Sequence, residues 1–540
     1  LPVNKKDMNE SLKTISRGGA IILITLLVYI PAMRAGFVWD DDAFLTENEL
    51  IHADDGLYRF WFTTEPPDYF PLVSTMLWLE WRLWGMNPTG YHAVNVLFHA
   101  TSAVLIWLVL RRLKIPGAWL AGLLFAVHPV TVESVAWITE RKNTLPMVFF
   151  VLTILLFLTF EKQEKKSWYV ASLVTFLFAL LSKTSVVMLP FVLLGLAWWK
   201  RGVIVRRDLV RSLPFFALSA LMGFITIWFQ YNSAGAASIR TDSFLSRLVI
   251  AGRAIWFYLY KATVPLELSF VYPRWETDAY HWTSFLPLLA LLGCMIVFWR
   301  FRNGWGRPFL FGFGYFLVTL LPVLGFINIY FMKYSLVADH WQYTSIVGII
   351  ALIVGTGTYV FHQRTALRPI GIITAIAVVG ALSGLTWKQS QAYQNEDTLW
   401  KDTIAKNPDA WLARAALGYS KAIQGDLSET VSQFSEALRL DAEDANAHYN
   451  LGVAFSRQGN FDKAIYHLSE AIKIRPHYAE AHNNLGIALA QQGDLDSAIT
   501  HFSKAIQIQP GFQQAHKNLR RALELKSGPK QASKSGTDIK

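Results

Sequence analysis

The chain predicts an all-α fold: a polytopic membrane domain of about eleven transmembrane helices, followed by a soluble helical solenoid. Three observations carry this. Of 540 residues, 53% are hydrophobic and only 16% charged, against about 25% charge in ordinary soluble domains. Up to about residue 386 the apolar residues gather in runs near the ~20 needed to cross a bilayer. Beyond that point the chain is polar and repeats every 34 residues.

The first apolar run, 18–35, follows Lys5, Lys6, Lys13 and Arg17. It reads as a span and not a signal peptide, because Phe37-Val38-Trp39-Asp40-Asp41-Asp42 follows it in place of a small-residue cleavage site. Later runs lie at 91–110, 117–136, 144–160, 168–182, 185–199, 212–230, 282–300, 308–326, 343–360 and 369–386. Basic loops fall at Arg111-Arg112-Leu113-Lys114, 162–166, 200–211, 300–307 and at Arg364 with Arg368. Placed on the cytoplasmic side, they alternate correctly for eleven spans with the N-terminus inside and the C-terminus outside. The stretch 248–265 carries Arg247, Arg253 and Lys261 and ends before Pro265. It reads as an interfacial or re-entrant helix, since one more span would invert every later loop. Two outer loops are large, 36–90 and 231–281, and loops of that size on a membrane scaffold usually build a site or a lid.

In the tail, Leu417-Gly418, Leu451-Gly452 and Leu485-Gly486 recur at 34 residues, as do Gly425, Gly459 and Gly493, and Ala437, Ala471 and Ala505. Pro408, Pro476 and Pro510 share the register, with Ala442 at the missing position. Paired amphipathic helices at this period are the tetratricopeptide pattern. The repeats read as 409–442, 443–476 and 477–510, within a domain at 387–526 that follows the membrane domain at 1–386. The end, 527–540, is rich in Lys, Ser and Gly and reads as disordered. Such an array offers a concave surface for a peptide or protein partner. The topology places it outside the cytoplasm.

The net charge of +11 at first points to nucleic acid. From Trp387 onward, however, 18 Lys/Arg face 17 Asp/Glu, so the excess belongs to the membrane domain, with 32 basic and 22 acidic residues. That is the bias of positive inner loops. The single cysteine, Cys294, excludes an intramolecular disulfide framework.

Ionisable groups at membrane level are functional candidates. Asp40 and Asp41, with Asp42 beside them, directly follow the first span, where a carboxylate can act as a general base. A second cluster runs from His128 through Glu133 to Glu140-Arg141-Lys142-Asn143. Arg141 and Lys142 place positive charge on the outer side, against the usual bias. Lys183, in the turn between two spans, and Lys261, in Trp256-Phe257-Tyr258-Leu259-Tyr260-Lys261, add to it, and Asp339 and His340 open the tenth span. Cations facing an acidic loop suit a lipid phosphate whose charge grows as it leaves. Arg141, Lys142, Lys183 and Lys261 are therefore the donor-phosphate candidates. His92, Asn95 and His99 share one helix face, but no third carboxylate or cysteine completes a metal set, and helix-packing hydrogen bonds are the simpler reading. No phosphate-binding Gly-rich loop, nucleophile elbow or zincin motif occurs.

At these residues the chain resembles the transmembrane and tetratricopeptide-repeat O-mannosyltransferases and their bacterial relatives, of the GT-C superfamily. The matching segments are Phe37 to Asp42, Tyr69-Phe70-Pro71-Leu72, His128 to Asn143, Ser182-Lys183 with Leu189-Pro190, Trp256 to Lys261 with Pro265, and Ala338-Asp339-His340-Trp341-Gln342-Tyr343. The resemblance implies an inverting glycosyltransferase that moves a hexose, mannose foremost, from a polyprenyl phosphate to Ser/Thr hydroxyls of an exported protein. It places the catalytic acids on Asp40 and Asp41, with Tyr258 among the supporting residues and no metal expected. Glu140-Arg141-Lys142-Asn143 stands where animal members carry a Gly-Arg-x-Asp pattern, and Phe70 where they often carry Arg. The lone Asn-x-Ser/Thr site, Asn9, and the single cysteine lean towards a bacterial inner membrane. Competing readings are the same chemistry on a lipid or glycan acceptor, a repeat-fused polysaccharide polymerase or ligase, and a non-enzymatic scaffold. The early acidic motif argues against the last two.

Overall fold

The structure is a computed structural model and describes residues 5–233, 242–277 and 279–527. Every regular element among them is helical. The chain divides into two compact units, Leu1–Asp402 and Thr403–Lys540. The tail expected to be disordered lies, from residue 528, outside the described residues, as does 234–241 of the second large loop.

In the first unit, eight helices are long and apolar enough to cross a membrane: Met8–Val28, Pro88–Arg112, Ile138–Gln163, Arg206–Gln230, Trp282–Arg300, Gly306–Val323, Ile346–Gln363 and Thr365–Ala392. Each lies on one of the eleven expected runs. The other three runs are helical but differ in form. Residues 117–136 form a broken pair, Ala118–Ala126 and Pro129–Ala136, bent by 49°. Pro129 has no N–H to give to the preceding turn, and the His128 ring instead accepts the Val130 N–H at 3.3 Å, restarting the helix. Lys166–Ser182 has 17 residues and Leu189–Arg201 has 13. At about 1.5 Å per residue neither alone reaches the roughly 30 Å of a hydrocarbon core. By length the structure thus supplies eight spans, or nine with the bent pair, where eleven were expected. The 248–265 stretch lies in the helix Phe244–Thr263 and stays outside this set.

The first large loop is itself folded. Short helices Glu49–His52, Gly56–Phe62 and Pro71–Trp84 close over Leu45, Ile51, Phe60 and Leu77, which pack on Tyr91, Ile138 and Leu145 of the neighbouring spans. An apolar cavity of about 660 Å³ opens elsewhere in this unit, lined by Ile106, Lys114, Val192, Phe309, Val347 and Tyr359 among others.

The second unit stacks helix pairs from Trp411–Gln424 with Leu427–Leu440 through Ala479–Gln492 with Leu495–Ile508, ending on Gln513–Ser527. The repeated glycines serve two ends. Gly425, Gly459 and Gly493 hold φ of +80°, +77° and +93°, the left-handed turn that ends each first helix. Gly418, Gly452 and Gly486 let the two helices touch: an added Cβ would lie 3.0, 2.7 and 2.7 Å from Phe434, Leu468 and Phe502. Gly486→Ala is therefore expected to destabilise the array by about 1–3 kcal/mol through overpacking. Gly511→Ala, which meets open space, is the control. Thermal unfolding of the two variants followed by circular dichroism checks this; equal melting would refute it.

Candidate active site

The acidic loop is built under strain. Trp39 has φ +48°, a left-handed conformation rare for a bulky residue. Its ring is wedged among Trp137, Phe270 and Phe331, with centroids 5.2, 5.2 and 5.6 Å away. The Gly36 N–H donates to the Gln394 carbonyl at 2.8 Å, fixing the start of the loop.

The next three acids have different fates. Asp41 is fully buried. One of its oxygens accepts the Val38 N–H and the other the Thr139 N–H, each at 2.9 Å, so it staples the loop to the first turn of Ile138–Gln163. The Asp40 side chain stays 19% exposed. Its Oδ1 accepts the Trp137 indole N–H at 3.0 Å and the Thr139 hydroxyl at 2.7 Å. That leaves Oδ2, 3.9 Å from Lys142 Nζ. Asp42 is exposed and accepts its neighbour Ala43's N–H at 2.6 Å.

Burial raises the pKa of both inner acids. For Asp41, burial and the adjacent Asp40 charge push it up to about 8; Asp40 is also raised by burial, against the pull of Lys142. An unfolded Asp41 loses its proton near pH 4, so between about pH 4 and 8 the unfolded chain binds fewer protons than the folded one and stability falls as pH rises. The melting temperature is expected to drop from pH 5 to pH 8, and Asp41→Asn to flatten that slope. An unchanged slope would overturn the assignment.

Lys142 also pairs with Glu140 at 3.2 Å and lies 5.1 Å from the Trp137 ring centroid. Buried Glu140 stands between two lysines, with Lys183 Nζ 3.9 Å away. Lys183 donates to Asn143 Oδ1 at 2.7 Å. Asn143 Nδ2 in turn donates to Glu140, to Ser134 Oγ at 3.1 Å and to the His340 carbonyl at 3.1 Å. Asp68, from the folded loop, faces both lysines; burial raises its pKa while the two cations oppose the rise. A cavity of about 40 Å³ lies here, lined by Phe44, Asp68, Phe70, Thr139 and Lys142. Thr139 and Asp68 were not picked out from sequence. Thr139 stood inside a segment already singled out, and Asp68 beside Tyr69; a threonine and a loop aspartate carry no spacing signal of their own.

Two of the four cations expected to hold phosphate are used elsewhere. Arg141 is wholly buried. It pairs with Glu80 and donates to Asn95 Oδ1 and the Tyr91 carbonyl, each at 2.8 Å. Consecutive helical residues point about 100° apart, so Lys142 faces the acids and Arg141 faces away. Lys261, also buried, donates to the Leu266 and Glu267 carbonyls at 2.7 and 3.1 Å and closes the end of its own helix.

The supporting residues form a frame behind Asn143. His340 is held by Glu133 through its ring at 2.9 Å and its N–H at 3.1 Å. Tyr258 OH accepts the Ala338 N–H at 3.2 Å, and Asp339 accepts the Tyr272 hydroxyl at 2.9 Å. His128 bonds the Ala262 carbonyl at 3.2 Å besides capping its own turn. His92, Asn95 and His99 turn to separate partners: the Gly36 carbonyl, Arg141, and Tyr343 with the Ala126 carbonyl. Among the described residues no group of three or more His, Cys, Asp or Glu is placed to hold a metal ion.

The region carrying Asp68, Arg141, Lys142 and Lys183 has a counterpart among known proteins. Residues 65–229 match the family model described as dolichyl-phosphate-mannose-protein mannosyltransferase, and 443–510 and 418–459 match tetratricopeptide-repeat models. Protein O-mannosyl-transferase F38B6.6 of Caenorhabditis elegans is 23% identical over 451 residues, covering 78% of this chain and 62% of its own. The chain is thus similar to protein O-mannosyl-transferases over most of its length, and carries tetratricopeptide repeats of its own. Human protein O-mannosyl-transferase TMTC3 is 22% identical over 499 residues, covering 82% of this chain and 53% of its own length. Mouse TMTC2 is 32% identical over 145 residues, covering 25% and 17%. The chain thus spans between half and two thirds of the first two relatives.

Proposed function

We propose that the chain is an integral-membrane O-glycosyltransferase. It moves a hexose, mannose foremost, from a polyprenyl phosphate to a Ser/Thr hydroxyl of an exported protein. The observation that carries this is Asp40: two donors hold one carboxylate oxygen while the other faces Lys142 on a side chain that stays partly exposed. In the reaction, Asp40 Oδ2 takes the proton of the acceptor hydroxyl as its oxygen attacks the anomeric carbon from the face opposite the phosphate. The sugar–phosphate C–O bond breaks, the anomer inverts, and the released phosphate gains charge. Lys142 and Lys183 meet that charge, supported by Glu140, Asn143 and Asp68. Asp41 positions Asp40 and does not touch substrate. The apolar cavity of about 660 Å³ suits the hydrocarbon of the prenyl chain. The repeats bind the acceptor protein.

The membrane is the bacterial inner membrane, with the N-terminus in the cytoplasm and the repeats on the periplasmic side. Support for that orientation comes from the basic loops and, for the chemistry, from the names of the relatives. The test is transfer from radiolabelled polyprenyl-phosphate mannose or glucose to a Ser/Thr peptide by the purified chain in nanodiscs. Mass spectrometry of exported proteins from cells with and without the gene runs in parallel. Label on the peptide and a hexose lost from exported proteins are expected. Neither transfer nor a lost hexose would sink the reading.

A further inference from the structure

Two histidine pairs recur in the repeat unit, each joining the two helices of one repeat. His448 on Ala445–Arg457 faces His467 on Phe461–Ile474, and His482 on Ala479–Gln492 faces His501 on Leu495–Ile508. In each pair the two Nδ1 atoms meet, at 3.1 and 3.0 Å. The first-helix rings are buried and held from behind. The His448 Nε2–H donates to the Ala442 carbonyl at 3.3 Å, and the His482 Nε2–H to the Pro476 carbonyl at 3.2 Å. A carbonyl only accepts, so the proton of each neutral ring sits on Nε2 and Nδ1 presents a lone pair. The second-helix rings are partly exposed.

Packing does not ask for histidine at both places. In the first repeat the same register holds Arg414 and Gln433. Arg414 Nε donates to the Pro408 carbonyl at 3.1 Å, and its Nη1 to Gln433 Oε1 at 3.5 Å. The carbonyl bond and the cross-helix bond are thus both met by other side chains. His516 repeats only the first half: its Nε2–H donates to the Pro510 carbonyl at 2.9 Å, but Ser535 stands where a second histidine would.

We infer that each pair is a site for a late first-row divalent cation, zinc foremost, bound through both Nδ1 atoms with water completing its shell. Zinc holds nitrogen ligands at about 2.0–2.1 Å, and a tetrahedral array sets two of them about 3.3 Å apart. The rings need to part by only a few tenths of an ångström. The carbonyl behind the first ring is the usual outer partner of a metal-bound histidine. In the metal-free pair the second ring gives its Nδ1–H to the first. On binding, that proton passes through water to Nε2 of the same ring, and the ion takes its place. Imidazole suits zinc, copper and nickel, whereas magnesium demands oxygen. Each ion fastens the first helix of its repeat to the second. The two sites differ in charge. Glu470 and Lys463 act on His467 with opposite signs. Lys504, at the Glu470 register, and His477 act on His482. The first site is therefore the tighter.

The test is equilibrium dialysis of the untagged full chain, stripped by chelator and held in nanodiscs, against zinc or magnesium. Bound metal is counted by mass spectrometry, and melting is followed with zinc and with EDTA. His467→Gln and His501→Gln copy Gln433 of the first repeat and leave the carbonyl bonds of His448 and His482 in place. Their melting in EDTA should therefore stay near that of the wild type. Each should retain one zinc fewer than the wild type, and the double variant two fewer. His467→Gln should remove the ion that fills at the lower zinc concentration. Zinc should raise the melting temperature of the wild type more than that of the double variant. His516→Gln should retain as much zinc as the wild type, and magnesium should not fill the pairs. If the double variant unfolds, the single variants decide the matter. Equal zinc in the wild type and in the paired-histidine variants, or the same loss in His516→Gln, would overturn the sites.

Discussion

Asp40→Asn is expected to lower hexose transfer about 10²–10⁴-fold, the usual share of a general base, with the melting temperature near that of the wild type. Asparagine keeps an oxygen to accept the Trp137 and Thr139 protons, so the loop should hold its shape. What is lost is the atom that takes the acceptor's proton. Asp41→Asn should behave in the opposite way. Its two oxygens each accept a buried backbone N–H, and an amide leaves one of them facing a donor. An unsatisfied buried group costs about 1–3 kcal/mol, so this variant should melt lower. Its activity should follow from the fraction that stays folded. Full transfer by Asp40→Asn would move the base elsewhere. A large kinetic loss in Asp41→Asn without any loss of stability would exchange the two roles.

The second large effect belongs to Arg141. Arg141→Met should destabilise the membrane unit by about 3–5 kcal/mol, because it leaves Glu80 charged and buried without its partner. Arg141→Lys should rescue little: the guanidinium uses separate nitrogens for Glu80, Asn95 and Tyr91, and one ammonium cannot reproduce that fork. Lys142→Ala, one residue on, should instead weaken donor use with a smaller loss in melting, since buried Glu140 keeps Lys183 and Asn143 as partners. Melting in detergent and the KM for the donor lipid separate the two. An Arg141→Met protein that melts normally and needs more donor would restore Arg141 to the phosphate site.

The contrast between these two neighbours shows where sequence reading stops. Both were singled out for one reason, positive charge at an unexpected level. Charge and level are properties of a segment and can be read along the chain. The direction of a side chain depends on where the helix begins, and that is set by the 3₁₀ turn Ile138–Glu140, which packs against the acidic loop. Lys261 adds a second case: its ammonium meets the carbonyls that follow its own helix, a local closure that no spacing announces. Three of the eleven runs take a form that the sequence does not announce, by the same cause. Apolar runs can be counted, but the break at Pro129 and the short helices after Lys165 and Met188 depend on how neighbouring helices shelter them.

The sequence by itself determined the two-part build, the all-helical class, most of the membrane segments and the register of the repeats. It could do so because hydrophobic runs and a 34-residue period are repeated along the chain, so each instance supports the next. Only the tertiary structure decided which of three adjacent acids faces Lys142, which cations surround it, and that Thr139 and Asp68 join them. Each of those depends on a single contact between segments far apart in the chain, such as Thr139 with Asp40 and Asp41. A contact of that kind leaves no period to read, and packing alone chooses it.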